Sequence, residues 1–280
     1  MEQKSIIGCI GCGMMGGSLL RAVAKKISGK NLRFFDIDTE KATNLAKELG
    51  GESLSSLKNV IAQSDYIFLA VKPVFMQSVL EEIASFLSEK EAQEKTFISI
   101  AAGLRIGTLR EMSQRRLYNF VRLMPNLPAS VMAGMIALAR DKENVLITDV
   151  YSERVAFVKD FLSEAGKIEE VPETLMDAVT AVSGSGPAYG FMFIEALADA
   201  AVKLGMPRNQ AYVYAAQTLK GAAEMVLQTG THPAMLKDGV CSPAGTTIAA
   251  VAKLEECGFR NAVIAATEAA YEKSVSLGKN

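Results

Sequence analysis

The stretch Gly11-Cys12-Gly13-Met14-Met15-Gly16 constrains the fold of this chain more than any other. Its G-x-G-x-x-G spacing follows Ser5 to Ile10, an apolar run that reads as a strand. It opens Met14 to Lys26, where apolar residues recur at helical spacing. In that context the motif marks the first turn of a βαβ unit that receives a dinucleotide. Gly11 permits the tight turn, Gly13 lets backbone approach a pyrophosphate, and Gly16 lets the helix pack closely on the sheet. Cys12, Met14 and Met15 complete the loop, and the helix start offers N–H groups and a positive dipole end to the phosphates.

Asp36 follows Gly16 by about twenty residues, the interval at which an acidic residue meets the ribose hydroxyls of NAD. It ends a second short strand, Leu32 to Phe35. A carboxylate there repels a 2′-phosphate, so the expected cofactor is NADH or NADPH, with NADH favoured. The competing role for Asp36, a helix cap, suits Asp38 or Thr39 better.

The same alternation continues. Strands are expected over Tyr66 to Val71, Thr96 to Ile100, Leu117 to Leu123 and Met135 to Ala139. Helices are expected over Thr39 to Leu49, Pro73 to Leu87 and Leu104 to Met112. Apolar strands alternating with amphipathic helices imply an α/β fold, a doubly wound parallel sheet of Rossmann type. Ligands bind outside the carboxyl ends of such strands. Those ends read Ala70-Val71-Lys72-Pro73, Ala101-Ala102-Gly103 and Met124-Pro125-Asn126. Their small residues leave room for a nicotinamide ribose. Asn126 suits a carboxamide or a ribose hydroxyl, or simply a turn.

The second half changes character. Beyond Val171-Pro172 no strand is expected. Glu173 to Val182, Pro187 to Leu204, Pro207 to Gln228, Thr246 to Glu256 and Arg260 to Leu277 read as helices rich in Ala, Leu, Met and Glu. The division is expected near 165: a dinucleotide-binding domain over 1–165 and an all-helical domain over 166–280. Alanine-rich stripes from Pro187 and Arg260 suit either an intramolecular core or a dimer interface. Ser183 to Tyr189 and Val240 to Ile248 are Gly/Ser/Thr-rich entries to helices. Each is a natural carboxylate receptor or an ordinary cap.

Composition narrows the class. With 280 residues the chain has room for about two domains. Thirty Lys plus Arg against thirty-one Asp plus Glu give a net charge of −1. That argues against a strongly basic nucleic-acid binder and a polybasic membrane anchor. No apolar run approaches the roughly 18 residues of a membrane span, and glycines break the N-terminal apolar stretch before it resembles a signal peptide. A soluble, cytoplasmic protein is expected. Four cysteines are too few for a disulfide framework. Cys9 and Cys12 have C-x-x-C spacing, but zinc needs further ligands and His232 is the single histidine. No metal is expected, and Ser–His–Asp chemistry is disfavoured.

Taken in order, Gly11 to Gly16, Ala70 to Pro73, Arg122-Leu123-Met124-Pro125-Asn126, Ser183 to Tyr189, His232-Pro233 with Leu236-Lys237-Asp238, and Ser242 to Ile248 resemble the pyrroline-5-carboxylate reductase family. The resemblance covers essentially the whole chain. Its last segment is the most specific, because many dehydrogenases share the glycine loop. It implies a Rossmann domain followed by a helical domain that binds substrate and dimerises, often into larger rings. It also implies reduction of 1-pyrroline-5-carboxylate to L-proline by NADPH or NADH. By position, backbone N–H groups of Ala244, Gly245, Thr246 and Thr247 would hold the substrate carboxylate, with Ser242 of the same loop also among the substrate-binding residues. The Thr247 hydroxyl would be the catalytic contact to the imine nitrogen, and Ser183, Ser185 and Gly186 would line the same cleft.

Three departures stand out. Ala244 replaces a usual glycine, Leu127 a common threonine, and Asp36-Ile37 the Asn-Arg of NADPH-preferring members. The resemblance also accounts for the lack of an obvious acid–base pair, since a protonated imine is already electrophilic. Two rival readings are a two-domain hydroxy-acid dehydrogenase, which would need a His or Lys base, and a non-catalytic dinucleotide sensor. His232 reads as a loop or capping residue.

Overall fold

In the first half, alternate side chains of each strand enter different cores. Cys9, Phe68, Ile98 and Val121 join one apolar cluster, while Ile10, Ile67, Phe97 and Phe120 join another. Strand side chains point to opposite faces in turn, so a sheet with two such cores is covered on both sides. The computed structural model describes residues 5–114, 119–141 and 149–278. The chain divides into two compact units, 1–184 with 270–280, and 185–269.

The first unit holds β1 (Ile7–Ile10), α1 (Met14–Val23), β2 (Leu32–Phe35), α2 (Thr39–Leu49), β3 (Glu52–Ser53), α3 (Leu57–Gln63), β4 (Tyr66–Leu69) and α4 (Pro73–Phe86). It continues with α5 (Glu89–Gln93), β5 (Thr96–Ser99), α6 (Ile106–Met112), β6 (Phe120–Met124), β7 (Gly134–Arg140), α7 (Asp149–Leu162), β8 (Gly166–Glu170) and α8 (Met176–Val179). The strand order is β3-β2-β1-β4-β5-β6-β7-β8. All neighbours run parallel except β6 and β7, which pair antiparallel. The order reverses at β1, which places a crevice at the carboxyl ends of β1 and β4. Helices α1, α2 and α7 cover one face through Leu20, Leu45 and Phe161. Helices α3, α4 and α6 cover the other through Val60, Leu80 and Leu109.

The expected β6 began at Leu117, but Leu117 and Tyr118 lie outside the described residues. The expected boundary at 165 falls inside the sheet: β8 pairs with β7 as far as Glu170, and the contact division comes at Gly184/Ser185. With Lys and Glu at most of its positions, β8 does not resemble the apolar strands that reveal the rest of the sheet. Glu173 ties the next segment back, accepting the Ile106 N–H at 2.7 Å and pairing with buried Arg122 at 3.2 Å.

The second unit contains α9 (Gly186–Lys203), α10 (Arg208–Thr229), α11 (Pro233–Val240), α12 (Thr246–Glu256) and the start of α13 (Phe259–Leu277). Ala198, Ala211 and Ala215 form the buried seam between α9 and α10. Alanines let helices approach closely, but they bury little area each. Phe191, Met192, Tyr214 and Ile264 are exposed. The last residues of α13 belong to the first unit, where the Ser274 hydroxyl donates to Asp177 at 2.7 Å.

Candidate active site

The glycine loop leaves β1 with Gly11 at φ 97°, a left-handed conformation that favours glycine. A Cβ on Gly11 would stand 2.6 Å from the Ala70 carbonyl oxygen at the end of β4, and one on Gly16 would stand 2.5 Å from the Gly11 carbonyl oxygen. Both positions therefore need a missing side chain to close the turn against the sheet. Gly13 differs. Nothing lies within 4 Å of its would-be Cβ, so its lack of a side chain keeps open space at the helix start. Gly13 caps α1, and no side chain caps the helix there. An uncapped helix start presents free N–H groups, with the positive end of its dipole, to an anion. This cradle fits a dinucleotide pyrophosphate, with Met14, Met15 and Gly16 forming the first turn. Met14 is exposed and Gly16 buried.

Asp36 stands at the carboxyl end of β2, beside this loop. One carboxylate oxygen accepts the Cys12 N–H at 2.6 Å and the other accepts the Asp38 N–H at 2.9 Å. The carboxylate thus fixes the loop, and each oxygen keeps a further lone pair for a ribose hydroxyl. Asp38 is the N-cap residue of α2 and pairs with Lys41 at 3.0 Å. That pairing holds the Asp38 carboxyl below its ordinary pKa.

Cys9 and Cys12 are both buried in the turn. Cys9 Sγ donates to the Gly11 carbonyl at 3.3 Å and Cys12 Sγ to the Phe35 carbonyl at 3.7 Å. A hydrogen bond with Cys12, then burial, pushes the Cys9 thiol well above its ordinary value. The pair is part of the packing beneath the loop.

The other strand ends lie along the same edge of the sheet. Ala70 N–H donates to the Ile10 carbonyl at 2.8 Å, Val71 is half-buried, Lys72 caps α4 and Pro73 begins it. Ala101 is buried, Ala102 is exposed, and Gly103 has φ 80°. Asn126 is bound to other parts of the chain at both ends of its amide. Its Oδ1 accepts the Met135 N–H at 2.9 Å and its Nδ2 donates to the Ser183 carbonyl at 3.0 Å. Each end of this buried amide makes one bond within the protein, so Asn126 organises the strand end and keeps one further donor and one further lone pair.

Ser183 lies in a π-helical turn, Thr180–Gly184, which carries the helix expected to end at Val182 on into the Gly/Ser-rich stretch. Ser183 and Gly184 are half-buried, as are Ser185 and Gly186 at the start of α9. Ser185 occupies the cap position of α9 without a side-chain capping bond.

In the second unit, Ser242, Ala244, Gly245, Thr246 and Thr247 form the entry to α12. Ala244 holds φ 56°, as a glycine would, although alanine carries a cost of roughly 1–2 kcal/mol in that region. The Gly245 N–H donates to the Ser242 carbonyl at 3.0 Å. Gly245 is the N-cap residue, and no side chain caps the helix. This second open helix start is receptive to a carboxylate, with the half-buried Thr247 in its first turn. His232 is a cap: its Nδ1 accepts the Ala234 N–H at 3.2 Å at the start of α11. It is not placed as a catalytic base. No group of metal-binding side chains occurs among the described residues. No helix among them is long and apolar enough to cross a membrane.

A dinucleotide cradle on a doubly wound sheet, joined to a helical unit with an open carboxylate-receptive helix start, defines an NAD(P)H-dependent oxidoreductase. Comparison with known proteins narrows the class. A family model described as pyrroline-5-carboxylate reductase dimerisation matches residues 173–277, and one described as NADP oxidoreductase coenzyme F420-dependent matches residues 6–103. A pyrroline-5-carboxylate reductase of Escherichia coli (strain K12) is 44% identical over 283 residues, covering 100% of both chains. The pyrroline carboxylate reductase of Plasmodium falciparum, solved with NADP bound, has a TM-score of 0.85 and 34% identity, over 99% of this chain and 100% of that one. A Coxiella burnetii pyrroline-5-carboxylate reductase has a TM-score of 0.87 and 30% identity, over 99% and 100%. The chain belongs to the pyrroline-5-carboxylate reductase family. It is an oxidoreductase that uses NAD(P)H on a small-molecule substrate, and a homo-oligomer through its helical part.

Proposed function

We propose that the protein reduces 1-pyrroline-5-carboxylate to L-proline, with the dinucleotide held by the first unit and the substrate carboxylate by the entry to α12. The observation that carries this reading is the uncapped start of α12 at Gly245, preceded by Ala244 in the left-handed conformation. Such an entry serves an anion, and its Thr246 and Thr247 supply hydroxyls beside it. Gly11 to Gly16, Asp36, Ala70 to Pro73 and Ala101 to Gly103 hold the cofactor in this reading. Ser183, Ser185 and Gly186 join Ser242 to Thr247 in holding the substrate. Asn126 acts at one remove.

The nicotinamide, when bound, supplies a hydride to the ring carbon of the imine. The chain must align the imine within about 3–3.5 Å of the hydride donor, exclude water and fix the carboxylate. The Thr247 hydroxyl hydrogen-bonds the ring nitrogen, most strongly as that nitrogen loses its positive charge and gains a lone pair. No nucleophile or metal is required. The hydroxy-acid alternative needs a base, and His232 is engaged in capping.

Asp36 favours NADH over NADPH in this reading. The oligomer is at least a dimer, built on the exposed apolar side chains of the second unit. A ring of dimers is the larger form that sedimentation would distinguish. Four free cysteines and a nicotinamide reductant suit the cytoplasm.

Thr247 gives the direct test. Thr247→Ala should lower kcat by about one to two decades, roughly 1–3 kcal/mol, with a smaller rise in KM. Thr247→Ser, which keeps the hydroxyl, should retain more activity, and NADH affinity should hardly change in either. Wild-type kcat in Thr247→Ala would remove the assigned role.

A further inference from the structure

Asn126 joins three elements that the proposed reaction needs in register. It follows the end of β6, accepts the Met135 N–H at the start of β7, and donates to the carbonyl of Ser183 in the π-helical turn. It is 8% exposed. A π turn inserts one residue into a helix, disturbs the regular hydrogen-bond ladder and persists where something else holds its backbone. Here side chains do so. The Thr180 hydroxyl donates to the Met176 carbonyl at 2.8 Å and the Ser183 hydroxyl to the Val179 carbonyl at 3.0 Å. Those two bonds run back four residues into α8. The Asn126 bond instead ties the turn to the sheet. Packing reinforces it: a Cβ on Gly184 would stand 2.7 Å from Met124 Cε, so the end of β6 meets the turn at close range twice.

We propose that Asn126 is a positioning residue for substrate, which fixes Ser183 and its π turn to the end of β6 through the Nδ2–carbonyl bond. The proposal rests on the reading that Ser183 lines the substrate site. Asn126 touches neither the imine nor the nicotinamide in this role. It sets where the Ser183 backbone stands, and thereby how well the imine is held. An ordinary turn-forming asparagine would bond within its own loop. Here the amide reaches across 57 residues of sequence.

The two ends of the amide are separable. Asn126→Asp keeps an acceptor for Met135 N–H at nearly the same shape, but loses the donor and sets a carboxylate against the Ser183 carbonyl. Asn126→Ser is the second variant, too short to serve both partners, for use if the aspartate impairs folding. Steady-state kinetics with the imine varied at saturating NADH, together with NADH affinity by fluorescence titration, read the effect. The expected result is a rise of tenfold or more in KM for the imine, a smaller loss of kcat, and NADH affinity within about twofold of wild type. Wild-type KM for the imine in folded Asn126→Asp would overturn the proposal, as would equal losses of imine and NADH binding. A wild-type enzyme that fails to reduce the imine at all would instead overturn the functional reading on which the proposal rests.

Discussion

Gly13 and Gly16 belong to one motif but answer to different constraints. Gly16 is glycine because the fold closes on it: a Cβ would meet the Gly11 carbonyl oxygen at 2.5 Å and Ala70 Cβ at 2.9 Å. Gly13 is glycine although the fold leaves it free. Gly16→Ala should therefore destabilise the protein by about 1–3 kcal/mol. Gly13→Ala should leave the denaturant midpoint within roughly 0.5 kcal/mol of wild type and weaken NADH binding. Urea unfolding with NADH titration separates the two, and a Gly13→Ala variant that binds NADH normally would contradict the cradle. Asp36 adds a second test, because its carboxylate clamps Cys12 N–H and is the proposed partner of the ribose hydroxyls. Asp36→Ser should lower the ratio of kcat/KM for NADH to that for NADPH. A wild type that already prefers NADPH would contradict the assigned preference. The steric need for glycine at 11 and 16 was legible in the sequence because each sits at a fixed interval after a strand. The internal bonds of Asn126 were not legible, since its partners, Met135 and Ser183, are brought to it only by the folded chain.

At the scale of elements, the apolar strands β1, β4, β5 and β6 follow from sequence because both faces of each are buried, and β2 follows from its apolar residues beside the glycine loop although one of its faces is only partly buried. β3 and β8 do not. β3 has two residues, and β8 reads Gly-Lys-Ile-Glu-Glu at the sheet edge, where one face meets water. The antiparallel sense of β7 was also hidden, as apolar runs carry no direction. The π turn escaped because Ser183-Gly184 reads as a helix break, and only the bonds of Thr180, Ser183 and Asn126 hold that stretch in a helical turn. The segment after β8 is held by Glu173, one oxygen of which receives both the Ile106 N–H and Arg122 Nη1. The Arg122 side chain is 3% exposed, so removing its partner would strand a buried charge. Glu173→Ala should destabilise the protein by about 3–5 kcal/mol, with Glu173→Gln costing less. Thermal or urea unfolding checks this, and a loss below about 1 kcal/mol, the range of an exposed pair, would contradict it.

The whole molecule divides its work between two kinds of architecture. A sheet with cores on both faces fixes the strand ends proposed to cradle a dinucleotide, and α12 opens on an uncapped turn suited to a carboxylate. The helical unit buries small alanines and exposes Phe191, Met192, Tyr214 and Ile264, an apolar surface of the kind that marks association. The broad division into a sheet half and a helical half was readable from the change in pattern near Pro172. Its position was not, because β8 and Glu173 carry the first unit past the last apolar strand. The central claim is the reaction. Purified protein mixed with NADH or NADPH and 1-pyrroline-5-carboxylate should consume the reduced nicotinamide, followed at its absorbance band, with one proline formed per nicotinamide oxidised. Cofactor that binds but is not oxidised by the imine, or is oxidised only with a 2-keto acid, would contradict it.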